Sequence, residues 1–117
     1  MQYREIVFYK DYFNAFFIKQ PEKVKKKVIW TLSLIEILPI VPEIYFKHIE
    51  NSEGLFEIRV QLGSNSYRIF CFFDQEKLVV LSNGFQKKSQ KTPKQEIVKA
   101  TKIKREYENE KKHNTNS

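Results

Sequence analysis

Residues 55–73 read LFEIRVQLGSNSYRIFCFF, and the fold turns on how this stretch pairs with itself. In 55–62, Phe56, Ile58, Val60 and Leu62 alternate with Glu57, Arg59 and Gln61, the period-two pattern of a strand with one buried face. GSNS at 63–66 is a turn signal. YRIFCFF then runs apolar on both faces, interrupted only by Arg68, as a covered central strand does. Asp74 and Gln75 mark a second turn, and KLVVLSNGF (77–85) reads as a third strand. Connections this short favour an antiparallel meander. YFKHI at 45–49 is a further candidate strand.

Toward the N-terminus the period changes. YREIVFY (3–9) suits a short first strand, and Asp11 can cap a helix holding Tyr12, Phe16 and Phe17. Pro21 suits the first position of a second helix. There Val24, Val28, Leu32 and Ile35 recur at helical spacing, with Lys25, Lys26 and Lys27 largely off that stripe. Pro39 and Pro42 end it. Toward the C-terminus, Thr92, Pro93 and Gln95 read as cap, first position and third position of a last helix, with Glu96 in its first turn. Ile97, Ala100, Ile103 and Tyr107 give that helix a thin apolar stripe. Residues 113–117 (HNTNS) read as a disordered tail. The expected fold is α+β: an N-terminal strand and helical hairpin, an antiparallel sheet and a C-terminal helix, in one domain spanning 1–112.

Composition narrows the function. Hydrophobic residues make up 41% of the 117 and aromatics 15%, enough for one packed core. The single cysteine, Cys71, precludes an internal disulfide and fits a reducing compartment. The N-terminus has no uninterrupted apolar segment of signal-peptide type. The apolar run 28–41 carries Glu36 and Pro39 and is too short to span a bilayer. A cytoplasmic location is expected, with no membrane partner.

The formal charge is +7. Residues 1–83 hold 11 Lys/Arg against 10 Asp/Glu, whereas 84–117 hold 10 against 4. The excess begins in NGFQKKSQKTPKQEIVKA (83–100), where Lys87, Lys88 and Lys91 lie between a strand and a helix start, with Lys94 just inside the helix. Such an asymmetry points to an anionic partner, most often nucleic acid.

Metal chemistry has little support, because His48 and His113 are far apart and no acidic cluster has ligand spacing. No cofactor is expected. Cys71 sits inside an apolar strand, where cysteine serves as a small hydrophobe. Arg59 and Arg68 stand out, each interrupting an apolar strand on either side of a short turn. A buried guanidinium needs an acid such as Glu57 or an accessible anion. Its planar fork suits phosphate. Tyr67 and Phe85 are candidate base-stacking residues and His48 a candidate proton-transfer group, each with local packing as the competing role.

GLFEIRVQLGSNSYRIFCFF and VVLSNGFQKKSQKTPKQEIVKA resemble toxins of the RelE/ParE superfamily, and within it the phage-derived, HigB-like branch. The matching motifs are the Gly-aromatic-Glu-x-Arg strand (54–59), Tyr-Arg-Ile-Phe (67–70), Gly-Phe-x-Lys-Lys (84–88), Thr-Pro (92–93) and Glu-Ile (96–97). The resemblance implies a RelE-like, microbial ribonuclease-like architecture. It also implies an endoribonuclease that cuts mRNA in the 30S A site of the ribosome, by metal-independent attack of a ribose 2′-OH. The implied partner is a helix-turn-helix, HigA-like antitoxin, with DNA reached only through it. Arg59, Arg68, Lys87 and Lys88 occupy the family's basic positions, and Lys91 lies in the same loop. Several relatives carry a Tyr or His near the last helix, where this chain has Ser89, Gln90, Lys91 and Thr92. His48, Tyr67, Lys87, Lys88 and Lys91 therefore stand as alternatives for the acid and base. A ParE-like gyrase inhibitor and a non-catalytic RNA-binding module are the competing functions.

Overall fold

The computed structural model, in which residues 2–115 are described, pairs the opening stretch as its alternation requires. Strands β3 (Leu55–Leu62) and β4 (Asn65–Asp74) form an antiparallel hairpin around a turn with Gly63 at φ 60°, a left-handed conformation that glycine adopts without strain. β5 (Leu78–Lys87) continues the meander, and β2 (Phe46–His48) closes the other edge against β3. The first strand, β1 (Glu5–Phe8), joins β5 in parallel. The sheet is thus mixed, five-stranded, in the order β1-β5-β4-β3-β2. That parallel pairing is possible because two helices and strands β2 to β4 intervene before the chain returns alongside β1.

Helices α1 (Tyr12–Phe17) and α2 (Glu22–Ile37) cover one face of the sheet. Phe13, Phe16, Val24, Val28, Leu32 and Ile35 pack there on Ile58, Val60, Ile69, Cys71 and Leu81. Helix α3 (Lys94–Thr115) covers part of the opposite face, where Ala100, Ile97 and Tyr107 meet Leu55, Phe70, Phe72 and Val80. Burying β4 on both faces accounts for its unbroken apolar sequence. Along β3 and β4, the contacts with α3 fall at Leu55, Phe70 and Phe72. The other end of that face carries the polar residues of these strands.

Local chemistry shifts several boundaries. Pro21 is the residue before α2, with extended ψ of 157°, and Leu38 leaves the helix in the extended conformation that a following proline imposes. Asp11 occupies the cap position of α1 without a side-chain cap bond. Helix α3 begins at Lys94, and Glu96 is in its first turn as expected. It runs on through Thr115, so 113–115 are helical where a tail was expected; Lys112 and His113 in the last turn suit the negative helix end. The remainder of that expected tail, 116–117, lies outside the described residues.

A register shift between Ile69 and Cys71 leaves an extra residue in β5, and Ser82 and Asn83 are buried there. A bulge of this kind re-aims side chains. Asn83 Nδ2 donates to Glu96 Oε1 at 2.9 Å and ties the meander to the start of α3. No helix among the described residues is long and apolar enough to cross a membrane.

Candidate functional site

Cross-strand register assembles the site. Arg59 and Arg68 are directly opposed on β3 and β4, and opposed residues share a sheet face. Arg68 is in turn opposed to Phe85, and Ser66 to Lys87, on β5. On β2, Lys47 is opposed to Glu57. One face therefore carries Lys47, Glu57, Arg59, Arg68, Phe85 and Lys87, beyond the part covered by α3.

Glu57 is the hub. Its Oε2 lies 3.1 Å from Arg59 Nε and 3.0 Å from Arg68 Nε. A single carboxylate oxygen thus serves two guanidinium groups and leaves the cluster net positive. Arg68 is only 7% exposed. Its Nη1 donates to the Tyr67 carbonyl at 3.1 Å, yet its Nε, though close to Glu57, is not aligned for a hydrogen bond. Arg59 is half-buried, with Nη1 donating to the Glu43 carbonyl at 3.3 Å. Both guanidiniums are anchored on Glu57, and Arg68 Nε is left without an aligned acceptor, an arrangement that suits a phosphate.

Lys87 is half-buried at the end of β5. Burial, and after it the charge of Arg68, holds its ammonium below the usual lysine range, with Glu57 opposing the shift. Arg68 is also lowered, first by burial. Phe85 stands beside this group and packs edge-on against Phe70 at 5.2 Å between centroids. A cleft of ≈ 490 Å³ opens next to β3, lined by Lys27, Ile44, Tyr45, Arg59, Gln61 and Arg68 among others.

Other candidates fall elsewhere. His48 is opposed to Phe56 and packs against its ring at 5.1 Å. Phe56 belongs to the α1/α2 side, so His48 is separated from the arginines by the sheet. Tyr67 is 4% exposed on that same side, against Phe16, and has no ring face open to a base. Both follow from strand alternation: a residue one step from an inward position faces the other way. Lys88, Lys91 and Lys94 are exposed on the loop and the first turn of α3. Glu96, which accepts from Asn83 Nδ2, already sets a carboxylate in the positive first turn of α3, so the centre of the site lies on the sheet rather than at the helix end. Burial pushes the Cys71 thiol well above its ordinary range, and Cys71 takes the small core role expected.

Sequence reading missed Lys47, because only the β2–β3 register places it beside Glu57. It also left Glu57 as one of several acids that could pair with an arginine.

The N-terminal strand and helices, five-stranded mixed sheet and C-terminal helix make an α+β domain compatible with a RelE-like fold. The model of the family described as Phage derived protein Gp49-like (DUF891) matches residues 15–105. The chain belongs to that family, which lies within the RelE/HigB-like group of toxins of toxin-antitoxin systems. No curated protein matches it. Membership implies an antitoxin partner.

Proposed function

We propose that the protein is a metal-independent endoribonuclease of the HigB-like branch that cleaves mRNA in the ribosomal A site, in the cytoplasm. The observation that carries this reading is the arrangement of Arg59, Arg68 and Lys87 around Glu57 on one sheet face, beyond the part that α3 covers. In the reaction a ribose 2′-OH attacks the adjacent phosphorus and the bond from phosphorus to the 5′ oxygen breaks. A 2′,3′-cyclic phosphate results, and the leaving 5′ oxygen takes a proton from water to become a 5′-OH. Arg68 and Arg59 meet the phosphoryl oxygens, where negative charge develops. Lys87 accepts the 2′-OH proton, because its lowered affinity for protons raises the neutral fraction near neutral pH. Lys88, Lys91 and Lys94 hold the flanking backbone, and Phe85 offers a ring to a base.

A helix-turn-helix antitoxin with an acidic surface silences the toxin by covering Arg59, Arg68 and the lysine loop. Positive charges around an empty phosphate site repel one another, so an acidic partner relieves that repulsion while excluding RNA.

Cleavage of mRNA on purified ribosomes tests the reading. Arg68→Ala should lose on the order of a hundredfold in rate, the typical effect of deleting one preorganised transition-state contact of about 3 kcal/mol. Lys91→Ala should retain most activity. With Lys87 as base, the parent rate rises with pH and levels off below the ordinary lysine range; Lys87→Ala loses that limb. A parent protein that leaves mRNA intact and instead poisons gyrase would overturn the nuclease reading.

A further inference from the structure

The phosphate chemistry uses two arginines of the cleft and leaves the rest of it unassigned. On its other wall are Lys27 and Tyr45. Tyr45 meets Trp30 edge-on at 5.6 Å between ring centroids, and Lys27 Nζ lies 4.3 Å above the Trp30 ring. Trp30 is 44% exposed, a large aromatic surface for which the core has no use. Lys27 comes from the lysine run on α2, yet it is half-buried where Lys26 is exposed. The cleft lining thus combines one aromatic ring, Tyr45, with a lysine and the two guanidiniums, one of which carries a buried, unaligned Nε, and Trp30 backs Tyr45 and Lys27 from outside the lining.

Those features match one ligand chemistry. A volume of ≈ 490 Å³ falls within the range of small-ligand pockets. Aromatic faces beside cations are what a single-stranded nucleotide requires: the base stacks and the backbone phosphate is neutralised. On the β2 side the pairing with β3 ends where the Arg59 N–H donates to the Tyr45 carbonyl at 2.8 Å, so the end of β3 beyond it, which carries Gln61, is left as an edge over which a strand can pass.

We propose that this cleft is a nucleotide subsite. It takes the residue next to the scissile phosphate, with the base against Tyr45, whose ring Trp30 supports edge-on, and the flanking phosphate on Lys27. The proposal rests on the nuclease reading of the arginine site and extends the substrate contact to α2 and the 42–45 turn.

Trp30 is the only tryptophan of the chain, so its emission reports on the subsite in the unmodified protein. The probe is a short single-stranded RNA with 2′-O-methyl sugars, which binds without being cleaved. Anisotropy of a label on the RNA follows binding, and pyrophosphate serves as the anion without a base. We expect a saturable change in Trp30 emission with the RNA and none with pyrophosphate. Tyr45→Ala should weaken RNA binding about tenfold, the scale of one lost stacking contact, and Tyr45→Phe should restore it. Binding of RNA with unchanged emission would overturn the subsite while leaving the arginine site standing. An equal response to pyrophosphate would overturn the base contact. A parent that cleaves mRNA on ribosomes but does not bind this RNA would also overturn the subsite alone. A parent that neither binds nor cleaves would remove the nuclease reading with it.

Discussion

Glu57 shows how one residue decides the character of a site. It is 7% exposed and holds two guanidiniums with one oxygen. Removing one member of a buried ion cluster leaves the others uncompensated. Glu57→Gln should therefore destabilise the fold by about 3 kcal/mol, read as a lower midpoint in urea unfolding. It should also strengthen binding of anions at the arginines, which then lack an internal competitor. A variant as stable as the parent would show that the arginines find other partners. Arg59 was legible as a break in an apolar strand, and so was Arg68. That both would converge on a single oxygen was not, because it depends on register and rotamer together.

Two elements show how the site is held. β5 carries Gly84 where α1 lies closest: a Cβ there would stand 2.6 Å from the Phe16 ring. Gly84→Ala should cost about 1–3 kcal/mol by overpacking, and Phe16→Leu in the same chain should return part of it. Additive effects in that double mutant would refute the contact. Acids clamp helix α3 both to the sheet and to the start of α1. Asp74 accepts from Tyr107 and pairs with Lys111, and Glu106 accepts from Tyr12 and Lys10. Lys111, then Tyr107, holds the Asp74 carboxyl below its ordinary range; Tyr12, then Lys10, does the same for Glu106. A carboxylate lowered in the folded state adds stability that is full above its unfolded value and is lost as pH falls through the folded one. The clamp should thus hold at neutral pH and weaken below about pH 4. Circular dichroism and tyrosine fluorescence across an acid titration check this. Asp74→Asn should be less stable at neutral pH and show a shallower acid transition.

At the scale of the whole molecule, charge is distributed to suit a polyanion. The loop lysines and the first turn of α3 are exposed beside a buried cationic centre. Screened backbone contacts and preorganised ones should therefore separate by salt. Affinity for single-stranded RNA should fall linearly with the logarithm of salt concentration. Replacing Lys88 or Lys91 by Ala should reduce the slope by about 0.7 each, with little change in cleavage of bound substrate. Equal slopes for parent and variants would place the RNA away from the loop.

The sequence by itself determined the strands, the helical hairpin and the last helix. Period-two alternation, 3.6-residue spacing and proline breaks act locally and are written in neighbouring residues. It also marked Arg59, Arg68 and the lysine loop, since a charge in an apolar strand is costly wherever the strand goes. The tertiary structure alone decided three matters. It brought β1 parallel to β5, a contact between segments about 70 residues apart. It set Lys47 beside Glu57 and sent His48 and Tyr67 to the opposite face. It opened the cleft between α2 and β3. The physical reason is common to all three: strand register and face depend on which segments pair across the chain, and a one-residue step in register reverses every side chain.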